Sequence, residues 1–329
     1  MAEIVLGMGS SHGPLLSTPP EQWDLRAKAD RENQNHWYRG KTFDYESLLE
    51  ERAPGFAHEI KVEVRRERHA QCRRAIEVLG RKFGEVKPDA VVIVGNDQRE
   101  FFGEDLTPSI TVYRGQEIVN QQDLHQAPGL AIAEVGNAPK EGASYPGSPD
   151  LADHILRSLA EEDFDLAQSS ARPHGATRPG IPHAYGFIYH SILGDNPPPS
   201  VPIILNVHFP HNQPRLHRCL KLGHALRRAI KSYQGCGRVA MVASGGLTHF
   251  VIDEDLDRQV LAAMEKGDEK ALAQLPENVF KVGTAEIKNW YPVIAAMTAE
   301  GRKFHQVDYV PCYRSEAGTG NAMAFVYWD

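Results

Sequence analysis

The chain is poor in cysteine, and its few cysteines lack the spacings that usually give them a task. Cys72, Cys219, Cys236 and Cys312 are the four thiols in 329 residues, and no two lie close in sequence. Without a CxxC pair, zinc-ribbon and thioredoxin-like chemistry have no signature here. Scattered thiols fit a reducing compartment better than a disulfide framework. Long apolar runs are missing too: no stretch reaches the roughly 18 residues of a spanning helix. The opening MAEIVLGMGSSHG carries an acidic residue and a short apolar run, not the basic start and long apolar core of a secretory signal. The expectation is a cytoplasmic protein with no membrane partner. Basic charge is in deficit, with 36 Lys and Arg against 43 Asp and Glu and a net charge of -7. There is no long basic run and no RNA-binding signature, so nucleic acid is not an expected partner. P-loop, GxGxxG and HExxH patterns are absent, which leaves nucleotide and zincin-type chemistry without support.

What is present is alternation. EIVLGMG, DAVVIVGND, SITVYRG, LAIAEVG, VPIILNV and RVAMVAS read as strands, several of them continuous and β-branched as in a sheet covered on both faces. Between them, KVEVRRERHAQCRRAIEVLGRKF, SPDLADHILRSLAEE, RLHRCLKLGHALRRAIKSY and LDRQVLAAMEKG read as helices. Ala70, Ile76 and Leu79 form part of an apolar stripe in the first of these. Ser148 and Pro149 suit a helix start. TAEIKNWYPVIAAMTAEG reads as a helix capped by Thr284 and kinked or split at Pro292. The fold class is therefore α/β, a single domain over residues 1–329 with a central mixed sheet flanked by helices. An inserted, largely helical segment spans about 20–85. The loop at 134–149 and the stretch at 165–186 are long and rich in Gly, Pro and Ser, as loops that serve a site often are.

Several polar residues stand where strands give out. His12, in GSSHGP, reads as a metal ligand or a base, or as an ordinary loop histidine touching water. Asn96, Asp97 and Gln98 follow the strongest apolar run; ligands gather beyond the carboxyl ends of such strands, but Asn and Asp also make turns. His183, in RPGIPHAYGF, is held by prolines and glycines. His249 ends SGGLTH, and its ring can carry a proton near neutrality. Glu286 sits in the first turn after Thr284, where a helix terminus favours a carboxylate. His12 and Glu286 together suit a divalent metal with N and O ligands, such as iron(II).

In order along the chain, SSHGP, VGNDQ, PHAYGF, NVHFPHNQP, SGGLTH and GTAEIKNW resemble the class III extradiol ring-cleaving dioxygenases. The nearest branch is that of the catalytic β subunit of protocatechuate 4,5-dioxygenase, with the gallate and 3-O-methylgallate dioxygenases. The resemblance implies iron(II) held by His12 and Glu286, with His249 as base and proton shuttle and His183 as a second active-site histidine. The third ligand of that family is a histidine, and here the position is Gln98. An amide oxygen is a weaker donor than imidazole, and His58 in PGFAHEI is a candidate to replace it. Arg178 is a candidate to meet a carboxylated ring. The implied reaction takes dioxygen and a small catechol-type aromatic substrate, and the expected assembly is a homo-oligomer, with a small subunit as a further expected partner. Another metal-dependent enzyme on the same scaffold, or an interaction protein with a vestigial metal site, is the alternative.

Overall fold

The computed structural model describes residues 1–329, the side chain of Pro128 excepted. Its strands are β1 (Glu3–Ser10), β2 (His36–Tyr38), β3 (Lys41–Phe43), β4 (Ala90–Asn96), β5 (Ile110–Tyr113), β6 (Glu117–Asn120) and β7 (Ala143–Pro146). They continue as β8 (Ala167–Ser169), β9 (Ser200–Leu205), β10 (Arg238–Ser244), β11 (His249–Val251), β12 (Phe304–Tyr313) and β13 (Thr319–Trp328). One mixed sheet runs in the order β11, β13, β1, β10, β4, β9, β5, β8, with β12 also paired to β13. Its centre, β1, β10, β4 and β9, is parallel. β13 runs antiparallel to β1, β11 and β12.

Successive residues of a strand face opposite sides, so an unbroken apolar strand needs cover on both. In β4, Val92 and Val94 enter one core while Val91 and Ile93 enter the other. Helices Pro149–Ala160, Leu216–Ser232, Glu254–Lys266 and Tyr291–Ala299 cover the first face. The 25-residue helix Val62–Val86 covers the second through Cys72, Ala75, Ile76, Leu79 and Phe83. Ala70 lies off that buried stripe, at intermediate exposure. Cys72 and Cys312 meet in this core with sulfurs 3.8 Å apart, and all four cysteines are free thiols.

Three local expectations are corrected. LAIAEVG is not a strand: it lies in the helical turns Pro128–Ala131 and Ile132–Gly136. Leu130, Ala133, Glu134 and Asn137, at helical spacing, line a cavity. Thr284 caps nothing, because it lies inside the turn Val282–Asn289, where its hydroxyl donates to the His249 carbonyl. Ser148 stands at the cap position of Pro149–Ala160, but its side chain makes no capping bond. Pro292 does split its segment, entering the first turn of the separate helix Tyr291–Ala299. The segment 20–85 holds a β2–β3 hairpin beside its helices. No helix among the described residues is long and apolar enough to cross a membrane.

Candidate active site

The four central parallel strands end at one edge of the sheet, and each delivers polar side chains there. β1 leads to His12, β4 to Asn96 and Gln98, β9 to His208, and β10 to the SGGLTH segment with His249. Glu286 comes from the turn Val282–Asn289, which packs against β4 and β11.

These residues converge on the Glu286 carboxylate, which is buried. Its Oε2 is 3.3 Å from His12 Nε2 and 3.6 Å from His249 Nε2, and it accepts the Gly246 N–H at 2.9 Å. Its Oε1 accepts from the Gln98 amide at 2.8 Å and from the Asn96 amide at 3.3 Å, with His208 Nε2 at 3.4 Å. Burial alone would raise this carboxyl; the imidazoles of His12 and His249 beside it hold it well below the ordinary carboxylate value. Burial pushes the His12 ring down against the pull of Glu286, which favours its neutral form.

The hydrogen bonds fix which nitrogen carries each proton. The Ser244 hydroxyl donates to the Ala184 carbonyl at 2.5 Å, so it must accept from His12 Nδ1, 2.9 Å away. The His249 Nδ1 stands 2.8 Å from the Leu247 carbonyl, which can only accept. With its proton on Nδ1, either ring in its neutral form would turn a lone pair toward a carboxylate oxygen, and as an imidazolium it would donate to that oxygen. Two lone pairs facing an anion repel unless a cation or a proton stands between them. The glycines of SGGLTH make room for this: a Cβ on Gly246 would stand 2.7 Å from the His249 ring, and one on Gly283 would press on the ring from another side.

That arrangement fits a divalent ion in part. Two ligands about 2.1 Å from one ion at right angles stand about 3 Å apart, close to the His12–Glu286 and Gln98–Glu286 separations. Yet among the described residues no group of three His, Cys, Asp or Glu is placed to hold a metal. The third donor would be Gln98, which must turn its amide oxygen inward and give up its bond to Glu286. His12 Nε2, Glu286 Oε2 and Gln98 Oε1 are thus the atoms that would hold an ion, more weakly than two imidazoles and a carboxylate.

Above this floor lies a cavity of about 390 Å³, within the range of small-molecule sites. His183 lines it, its ring meeting that of His12 edge-on at 4.9 Å between centroids. Glu100 receives both the His183 backbone N–H at 2.9 Å and its Nδ1 at 2.8 Å. Burial would raise the Glu100 carboxyl, but His183 brings it down to about 2. Burial lowers the His183 ring, and Glu100 outweighs this and raises it.

The other sequence candidates land elsewhere. The His58 side chain is 72% exposed and lies 3.7 Å from Glu59, in a surface turn before Val62–Val86, so it is not brought to the site. Arg178 is buried behind the cavity wall, donating to Glu134 at 2.7 and 3.1 Å and lying 3.6 Å from Glu100. Both of its terminal nitrogens are taken, its Nε is buried without a partner, and it does not line the cavity. Asp97 makes a turn, accepting the N–H groups of Glu100, Phe101 and Phe102. Contrary to the expectation that no hydrolase nucleophile elbow is present, GSSHG at 9–13 has that spacing, but the Ser11 hydroxyl accepts the Ala324 N–H and does not line the cavity. Sequence reasoning missed His208, Glu100 and Asn289; the last donates to Asn96 at 2.7 Å. His208 had a signal, since it follows β9 as Gln98 follows β4.

An α/β sheet whose parallel strands end on a histidine- and carboxylate-lined cavity has the form of a small-molecule site. The family model described as the catalytic LigB subunit of aromatic ring-opening dioxygenase matches residues 54–327, and the chain belongs to that family. It is 28% identical to a gallate dioxygenase of Pseudomonas putida over 193 residues, 55% of this chain and 54% of the relative. The chain thus spans about half the length of that curated relative. An uncharacterized protein of Escherichia coli K12 of known structure aligns over 98% of this chain and 99% of its own, at 13% identity and a TM-score of 0.47.

Proposed function

We propose that the chain is an iron(II)-dependent extradiol dioxygenase that opens the ring of a catechol-type, carboxylated aromatic with dioxygen. The observation that carries this is the meeting of His12 and Glu286, 274 positions apart in sequence, at 3.3 Å beneath the cavity. His12, Glu286 and Gln98 are the residues that would hold the ion. Bound iron(II) supplies Lewis acidity and an electron path between a diol and dioxygen. The protein's own part is proton handling and placement. His249, its Nδ1 fixed on the Leu247 carbonyl, presents Nε2 to accept a hydroxyl proton of the substrate and return it later. His183, whose cationic form Glu100 favours, donates toward negative charge that develops on oxygen. Leu130, Ala133 and Phe250 supply apolar wall for the ring.

Anaerobic loading with iron(II) followed by oxygen uptake across a panel of catechols tests this reading. The expected result is one ion per chain, uptake matched to substrate consumed, and a ring-opened product. His249→Ala lowers turnover by roughly 10²- to 10⁴-fold while the ion still binds. The second reading is an interaction protein with a vestigial metal pocket. It is favoured by the full set of protein donors already on Glu286 and the lack of a three-residue metal group among the described residues. A chain that binds no ion and takes up no oxygen supports it.

A further inference from the structure

We propose that Arg26 is the anion-binding residue of the cavity, taking a carboxylate carried on the substrate ring; this rests on the ring-opening reading for the remainder of the substrate. Arg26 belongs to the helix Asp24–Glu32, in the segment laid over the sheet edge, and it lines the same cavity as His12, His249 and Glu286. Its stem packs on Gly129, with Cδ about where a Cβ there would make close contact.

Among the described residues its guanidinium has no ion-pair or hydrogen-bond partner, and its Nε is buried without one. Two acids of its own helix are committed elsewhere, and the third, Glu32, is exposed and not paired with it. Asp30 receives Arg314 at 2.5 and 2.9 Å and the Thr319 hydroxyl at 2.6 Å, and Asp24 takes Arg65 at 2.9 Å. The cavity carboxylates are committed too: Glu286 to the floor donors, Glu100 to His183, and Glu134 to Arg178 and Asn137. Asp123 also lines the cavity, outside ion-pair range of Arg26. Burial first, then repulsion from Arg314, outweigh the attraction of nearby Asp30 and lower the Arg26 guanidinium to about 10.

A half-buried guanidinium whose Nε is enclosed without a partner is destabilising unless a ligand completes it. Its planar fork matches a carboxylate in two parallel hydrogen bonds. A ring between the apolar wall and the His12–Glu286 floor would then turn its diol to the floor and its acid to Arg26. A neutral catechol gains only the first half of that arrangement.

Anaerobic calorimetry of the full chain with protocatechuate and with catechol as probes tests the assignment. The wild type is expected to prefer protocatechuate by roughly 10- to 100-fold. Arg26→Gln brings the ratio of the two affinities close to one, and Arg26→Lys restores part of it. Because Arg26 lacks a protein partner, Arg26→Gln also melts at or above the wild-type temperature. An unchanged ratio in Arg26→Gln, a parallel loss of both affinities, or no preference in the wild type overturns the proposal. Oxygen uptake separates this from the underlying reading. A chain with the ratio shift but no uptake keeps the Arg26 site and loses ring opening. Uptake with an unchanged ratio does the reverse.

Discussion

Asp30 and Glu286 are both buried carboxylates held below their ordinary values, yet one is closed and the other open. Burial would raise Asp30; the Arg314 guanidinium fills its two oxygens and brings it down, with Thr319 completing the set. The Arg314 side chain is fully buried as well, so both partners are enclosed. Glu286 instead meets neutral amides, a backbone N–H and the Nε2 atoms of His12 and His249, and it borders a cavity. A permanent cation locked on a carboxylate builds structure. Exchangeable donors leave the carboxylate able to take a different partner. Asp257 extends the series: burial pushes it up to about 7, with only Thr248 and the Tyr309 hydroxyl as partners.

The largest expected effect probes the closed pair. Arg314→Ala strips the permanent cation from Asp30 and costs roughly 3–5 kcal/mol in denaturant unfolding. A loss under about 1 kcal/mol, the range of surface pairs, would break the comparison. Next comes pH. Asp257 keeps in the folded chain a proton that an unfolded carboxyl gives up above its ordinary value of 3.8. The stability this group contributes is therefore fullest below that value and is lost as pH rises toward about 7. Melting temperatures taken near pH 5 and near pH 8 should fall more steeply in the wild type than in Asp257→Asn; equal slopes would remove Asp257 from the series. The smallest effect sharpens the open end. Gln98→His is expected to tighten iron(II) binding about tenfold, or ~1.4 kcal/mol, in competition with a chelator. Unchanged affinity would mean that Gln98 is not a ligand and that Glu286 is less open than its neighbours suggest.

The sheet was legible because buried parallel strands are continuous apolar runs: VVIVG and RVAMVA could hardly be anything else. LAIAEVG misled because small apolar residues suit a strand and a tight helical turn alike, and only its cavity-facing spacing separates the two. β12 and β13 carry mixed residues around Arg314 and Asn321 and drew no expectation. At the site, His12, His183, His249 and Gln98 could be singled out because each stands beyond a strand or beside glycines, and Glu286 because it reads as opening a helical turn. Arg178 misled because sequence shows a charge but not its partners. Nothing in the spacing of its neighbours announces that Glu134 and Glu100 will surround it. For the same reason nothing marks Arg26, whose distinguishing feature is the lack of such neighbours.

The floor of the cavity draws on five separated stretches, from His12 at one end to Glu286 at the other. During synthesis the first histidine is made long before the carboxylate it faces. The four strand-end contributions share one sheet edge, but the carboxylate they converge on joins them only when the turn bearing Glu286 docks.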